Sequence, residues 1–279
     1  MRGWWQDLTD LVLPAECAGC GRPRAVLCAR CHAALSGAAP CRVRPAAEPS
    51  GLPAVHAAAR YADEVRALLL AHKERGALAL ARPLGEALAG AVRAGLDRAG
   101  AHDVGVAGRV LLVPVPSSRA AVRARGHDPA RRIALAAAGE LRRGGMPVRV
   151  AAVLRQRRAV ADQAGLDSGQ RLANLAGALT VVPGGGRLLG QGPVVLVDDL
   201  MTTGASLTEA ARAVRDCGVS AVYARAGGEG REERGATVPE GRPDRAHVGW
   251  GMPGENRAGR VVCAAVVAAP PDAFELNRN

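Results

Sequence analysis

The stretch Gly192–Val214 reads GPVVLVDDLMTTGASLTEAARAV. Its apolar run Val194–Val197 has the composition of a strand, and Asp198 and Asp199 stand at the carboxyl end of that run. Thr202, Thr203, Gly204, Ala205 and Ser206 follow and lead into a helical pattern at Leu207–Val214. Small residues let backbone N–H groups converge on one point. The helix amino terminus adds partial positive charge, and the hydroxyls add donors. The loop therefore reads as a phosphate cradle. It is not a Walker loop, because no Gly-Lys-Ser/Thr closes it. Two carboxylates aimed at the same phosphate would repel it. One sugar away, they accept hydrogen bonds from neighbouring ribose hydroxyls, or anchor Mg2+ through water. The stretch predicts a grip for a ribose 5-phosphate. The competing readings are strand-end carboxylates that cap the next helix, and an acidic pocket of the receiver type.

Around this stretch the chain alternates strand and helix patterns. Ala54–Tyr61 is a short alternating segment. Helical periodicity covers Leu68–His72 and Ala79–Leu96, with Gly76 between them. Val110–Val113 is a buried strand that ends in a Pro-Val-Pro turn. Asp128 as N-cap and Pro129 in the first helical position start a helix that Gly144 and Gly145 stop. PVRVAAVLRQ, residues 147–156, reads as one strand. The polar segment 157–178 reads as a long loop with some helix at its end, and LTVV, residues 179–182, as a short strand. Two candidates compete for the last strand, GVSAVYARA at 218–226 and Val261–Ala268. The second is longer and more continuously apolar. Residues 225–260 are rich in Gly, Pro, Arg and Glu, a composition that reads as a disordered insertion. The alternation predicts an α/β fold with a parallel sheet and helices on both faces. Ligands in such sheets bind beyond the carboxyl ends of the strands. PVPSS (114–118) and DDLMTTGAS (198–206) both sit at such ends, so they are read as one site.

CAGCGRPRAVLCARC supplies Cys17, Cys20, Cys28 and Cys31. Each Cys-x2-Cys pair makes a knuckle that points two thiolates at one ion, and two knuckles complete a tetrahedral S4 shell for zinc. Four thiolates leave no open position for water, so the site is structural. The alternatives are disulfides or free thiols, and disulfides are rare in a reducing compartment. Cys41 has no partner spacing, while Cys217 and Cys263 read as small apolar core residues. The predicted organisation is an N-terminal helix and zinc module over 1–40, a Pro/Ala/Arg-rich linker over 41–53, and the α/β domain over 54–279. In the first segment Trp4, Trp5, Leu8, Leu11 and Val12 form one apolar helical face. Asp7 and Asp10 interrupt any secretion-signal core.

Of the 279 residues, 48% are hydrophobic but only 2% aromatic, so the core is built from Leu, Val and Ala. The net charge of +11 attracts polyanions such as phosphorylated metabolites, nucleic acid or a membrane surface. Arginine dominates, and Lys73 is the only lysine. No apolar run suggests a transmembrane span, and the expected location is the cytoplasm.

VVLVDDLMTTGAS resembles the thirteen-residue signature of type I phosphoribosyltransferases, with Leu200 where valine or isoleucine is usual and Ser206 where threonine is common. The cysteine module, VPVPSSRAAVRARGHDPARRIALA and LRQRRAVADQAGLDSGQRLANLAGAL together resemble the ComF/GntX family, which includes a competence protein of natural transformation. RGHDPA departs from that family's usual Arg-Gly-Phe-Asn-Gln. The resemblance implies a type I phosphoribosyltransferase fold behind a small four-cysteine zinc module, binding phosphoribosyl pyrophosphate with Mg2+. By position, Asp198 and Asp199 hold the ribose hydroxyls, and Thr202, Thr203, Gly204, Ala205 and Ser206 hold the 5-phosphate. Pro116, Ser117, Ser118 and Arg119 form the pyrophosphate loop. A hood loop at about 156–170 brings Arg155, Arg157 or Arg158 over the pyrophosphate. Lys73 stands where the family often has a lysine. The implied chemistry is transfer of phosphoribosyl to a nitrogen acceptor with release of pyrophosphate. Two other readings remain: a non-catalytic sensor of phosphoribosyl pyrophosphate, and a competence protein whose zinc module and basic surface handle single-stranded DNA or other competence proteins during uptake. The scarcity of aromatics argues against base-stacking platforms in the last.

Overall fold

The computed structural model describes residues 16–101, 109–158, 160, 167–226 and 260–275, with only the backbone for Ser168 and for 218–226. The apolar segment at the start of the chain, most of the expected hood loop and nearly all of the expected 225–260 insertion lie outside the described residues.

Helix α1 (Ala29–Ser36) follows the cysteine knuckles, and strand β1 (Cys41–Val43) comes next. Strand β2 (Val55–Arg60), helix α2 (Asp63–Glu74) and helix α3 (Ala81–Arg98) open the larger part. Asp63 and Glu64 in the first turn of α2, and His72 and Lys73 in its last, complement the helix dipole. Strand β3 (Val110–Pro114) leads through a proline turn to α4 (Arg119–Arg125) and α5 (Pro129–Arg143). The Asp128 carboxylate accepts the Arg131 N–H at 3.1 Å and caps α5 as expected. Strand β4 (Val148–Val150), strand β5 (Leu154–Gln156), helix α6 (Ser168–Leu175), strand β6 (Leu179–Val181) and helix α7 (Gly185–Leu189) follow. The chain then makes β7 (Val194–Leu200), α8 (Ala205–Ala226), β8 (Val261–Ala269) and α9 (Asp272–Glu275).

The main sheet has the order β1-β2-β8-β7-β3-β4, parallel throughout except for the β1–β2 pair. Strand alternation divides the core. Val195, Val197, Val110, Leu112, Cys263 and Ala265 face one side, under α3 and α5. Val194, Leu196, Leu111, Val113, Ala264 and Val266 face the other, under α8. Buried alanines on α3 (Ala87, Ala91) and α5 (Ala134, Ala137, Ala138) let these two helices close on each other without large side chains. A core with 2% aromatics is thereby filled. The chain passes from β3 to β4 on one side and later returns to β7 on the other. The gap between β3 and β7 is therefore where the strand order reverses, the place where open α/β sheets bind ligands.

Several local expectations need correction. Residues 147–156 are not one strand: the Val153 N–H turns back onto the Ala151 carbonyl at 2.9 Å, a tight turn. Beyond it β5 leaves the main sheet and pairs antiparallel with β6. Residues 218–226 continue α8 and form no strand. Strand β8 fills the slot between β2 and β7, so Val261–Ala268, the preferred candidate, is the sheet strand. The expected linker 41–53 contains β1, an edge strand hydrogen-bonded to β2. Strand β2 is buried at every position but Arg60, because β1 and β8 flank it and both its faces are covered.

Candidate functional site

The carboxyl ends of β3 and β7 open into a cleft of about 490 Å³. Pro116, Ser117 and Ser118 line it from the turn after β3, and Asp198, Asp199, Thr202 and Ser206 from the end of β7 and the loop after it. The two stretches that the sequence pairs as one site thus share one cavity. Ser118 also caps α4 by accepting the Ala121 N–H at 3.1 Å, so its hydroxyl is fixed at the cleft wall. Thr203, Gly204 and Ala205 form the loop between Thr202 and Ser206 and are not among the lining residues. Gly204 has φ +77°, and a Cβ there would stand 3.0 Å from both δ-carbons of Leu52. Only glycine combines that backbone with that neighbour. The Gly204 carbonyl accepts from the Thr208 N–H at 2.9 Å and the Thr208 hydroxyl at 3.1 Å, which fixes the start of α8.

Alternation along β7 sends Asp199 toward the α2–α3–α5 side and Asp198 toward α8. Asp199 is buried, and its Oδ2 lies 3.0 Å from Lys73 Nζ, the end of the chain's one lysine. Burial pulls the Lys73 ammonium down, but the Asp199 and Asp198 charges outweigh it and the pKa is raised. Burial pushes the Asp198 carboxyl well above the usual carboxylate range, and the Asp199 charge pushes the same way against Lys73. The Lys73 ammonium pairs with Asp199 alone, and Asp198 Oδ1 accepts the Asp199 N–H at 2.8 Å. Arg125 of α4 and Gln156 of β5 line the cleft as well. Sequence reasoning did not single them out. The signal for Gln156 is the alternation of β5: Leu154 and Gln156 share a face, and Arg155 points away.

Arg119, Arg155 and Arg157 are exposed and are not among the lining residues of the cleft. Arg158 is exposed too, and its Nη2 donates to the Asn174 and Ala176 carbonyls at 2.8 and 2.9 Å. The β5–β6 pair is tied to α8 instead. Buried Glu209 accepts the Leu179 N–H at 2.9 Å, and Arg212 donates to the Leu179 carbonyl at 3.0 Å and to Glu209 at 2.7 Å. Leu179 lines the cleft, so α8 carries the Thr202–Ser206 loop at its start and grips the β5–β6 pair further along.

The sulfurs of Cys17, Cys20, Cys28 and Cys31 lie within 4.8 Å of one another. Zinc–sulfur bonds of about 2.3 Å in a tetrahedron require sulfurs about 3.8 Å apart, and Cys20 and Cys28 stand at 3.6 Å. The Cys28 N–H points at Cys17 Sγ at 3.3 Å. Burial raises the Cys17 thiol, yet backbone N–H groups of Cys28, Cys20 and Gly19 outweigh it and bring it down to about 6. Burial and the neighbouring sulfurs push Cys31 upward. Gly19 is required by contact, since a Cβ there would lie 2.9 Å from Cys31 Sγ. This geometry is consistent with a structural zinc site. Among the described residues this is the one cluster of three or more metal-binding side chains, and no helix among them is long and apolar enough to cross a membrane.

No protein-family model matches the chain, and no curated protein or solved structure matches it at a significant level.

Proposed function

We propose that the chain is a phosphoribosyltransferase of the ComF/GntX type, which binds phosphoribosyl pyrophosphate and transfers its phosphoribosyl group to a nitrogen acceptor. The observation that carries this reading is the cleft at the β3–β7 switch point. There the Ser117–Ser118 turn, the paired aspartates and Thr202 and Ser206 face one cavity. The resemblance of VVLVDDLMTTGAS to the phosphoribosyltransferase signature supplies the ligand. In this reading Thr202 and Ser206 hold the 5-phosphate at the start of α8, and Asp198 and Asp199 accept hydrogen bonds from the ribose hydroxyls. Ser117 and Ser118 face the diphosphate. The acceptor nitrogen attacks the anomeric carbon as the bond to pyrophosphate breaks, and no covalent protein intermediate forms. The residues of the cleft act by placement and by charge. Carboxylate oxygens are hard donors that suit Mg2+, whose contribution is to neutralise the leaving diphosphate. With Lys73 already on Asp199 at 3.0 Å, Asp198 is the residue that would hold that ion, whose charge would displace the proton that burial and Asp199 favour there. The four cysteines hold zinc in a structural role.

Isothermal titration with phosphoribosyl pyrophosphate and Mg2+ tests the binding. The wild type is expected to bind, and the double variant Asp198→Ala/Asp199→Ala to lose at least tenfold in affinity, about 1.4 kcal/mol. Unchanged binding in the double variant overturns the reading. A screen for pyrophosphate release across bases and amines then separates enzyme from sensor. Intact binding without pyrophosphate release for any acceptor tried favours the sensor.

A further inference from the structure

Lys73 stands in the last turn of α2, where a helix frays and its last carbonyls lack intrahelical partners. A long, flexible ammonium at a frayed end has no fixed position. Here both residues that flank it are gripped. Arg125 Nε and Nη2 donate to the two carboxylate oxygens of Glu74, each at 2.8 Å. His127 Nε2 lies 3.1 Å from the His72 carbonyl, one of those orphan acceptors. That carbonyl only accepts, so Nε2 is the donor where this bond is made; Nδ1 faces a second acceptor, the Arg125 carbonyl, at 3.2 Å. The His127 ring is buried and stands 5.5 Å from the His72 ring, and His72 Nδ1 reaches the Ala77 carbonyl beyond the helix end at 3.4 Å. Between the two gripped residues, Lys73 projects into the cleft and meets Asp199.

We propose that Arg125 and His127 are the positioning residues of the cleft: by holding Glu74 and His72 they fix the end of α2 and set the Lys73 ammonium beside Asp199. The histidine of the RGHDPA turn thus does by hydrogen bond what a phenylalanine there has no donor to do. Arg125 lines the cleft on the same wall as Ser118. Its bidentate hold on Glu74 keeps its own charge close enough to Lys73 to oppose the ammonium. The consequence for ligand binding rests on the proposed function of the cleft. The consequence for Lys73 does not.

The chain's single lysine makes the test direct. Reductive methylation of the full chain with 13C-formaldehyde keeps the charge and places one side-chain reporter, at Lys73. The wild-type signal is expected away from that of free dimethyl-lysine, and Asp199→Asn moves it to the free position. Arg125→Met and His127→Phe each move it at least halfway there, while His127→Gln, which keeps an N–H donor, restores most of the wild-type shift. Affinity for phosphoribosyl pyrophosphate falls about tenfold in the first two variants. Affinity for inorganic phosphate, which in the proposed reading Thr202 and Ser206 hold without Asp199, changes less than twofold. If either folded variant gives a signal superimposed on the wild type's, the brace is overturned. If His127→Phe unfolds, Arg125→Lys, which keeps charge but not the fork, carries the same expectation at reduced size. A signal that moves as expected in a protein that binds neither ligand upholds the brace and removes the proposed function.

Discussion

At the scale of single residues, half-buried Asp198 and buried His56 each hold their place at a cost. Asp198 is held well above the ordinary carboxylate range by burial and by the charge of Asp199. A carboxyl raised in the fold binds more protons folded than unfolded. Its penalty is absent below the unfolded value, near 3.9, and grows as pH rises toward the folded one. Asp198→Asn should therefore raise the melting temperature at pH 7 by about 2–4 °C, the usual gain from relieving one strained site residue. The gain should vanish near pH 4, and equal gains at both pH values would show that charge is not the cause. His56 is buried in β2, and neither ring nitrogen has a hydrogen-bond partner. Burial lowers its pKa, and the nearby Arg42 and Arg98 charges lower it further. The unfolded chain takes up this proton near pH 6.5 and the fold only at lower pH, so the stability is complete above 6.5 and is lost as pH falls below it. His56→Phe should flatten the fall in urea midpoint between pH 7 and 5. His72, lowered first by burial and also by its cationic neighbours, leaves a remainder. A His56→Phe profile as steep as the wild type's would place the acid sensitivity elsewhere.

Among elements, the junction of α8 with β6 is held by side-chain hydrogen bonds from Glu209 and Arg212. Glu209 is buried, and burial alone would raise its carboxyl. The Arg212 side chain and the Leu179 N–H outweigh that and lower it. Glu209→Ala leaves the Leu179 N–H unsatisfied and removes a charge partner from Arg212, which also pairs with Asp216. Because Arg212 is 36% exposed on its side chain, the expected loss is about 2 kcal/mol in urea unfolding, below that of a fully buried pair. Glu209→Gln, which keeps an acceptor, should lose less. This junction also marks the limit of what the sequence discloses. Elements with their own chemical signals are legible: Asp128 and Pro129 start α5, and the apolar run into Asp198-Asp199 is β7. Segments whose state depends on a distant partner are not. Residues 147–156 look continuous, but the turn at Ala151–Val153 and the waiting partner β6 split them between two sheets. Residues 218–226 carry strand-forming Val and Tyr, yet β8 holds the only slot beside β7 that β3 leaves free. The cleft was legible as two motifs at strand ends. The place of Gln156 in it was not, because a residue's face cannot be read before its strand is found.

Over the whole molecule, the cysteine cluster is not an appendage. Cys17, Cys28, Cys31 and Leu35 belong to the same buried core as Leu68 and Leu69 of α2, Leu84 and Val92 of α3 and Ile133 of α5. The Arg30–Glu64 ion pair at 2.9 Å adds a surface tie between α1 and α2. A module that shares its core with the sheet cannot melt separately without exposing the far side of that core, so its loss is felt by the entire fold. Zinc binding to a set of four thiols is folding free energy, because the unfolded chain lacks the assembled site. Purified protein is therefore expected to carry one equivalent of zinc by elemental analysis and to melt in a single calorimetric transition. Stripping the metal with a chelator, or replacing Cys31 by Ala, should lower that one transition by about 10 °C or more, on the order of a loss of 3 kcal/mol or greater for a chain of this size. It should not split off a small early peak. An early peak with the main transition unmoved would mean that the module folds on its own, and that the buried contacts between α1 and α2 contribute little to holding the sheet. A metal-free protein with the wild-type melting temperature would remove the zinc assignment altogether, and leave the inward-facing thiols as ordinary core residues.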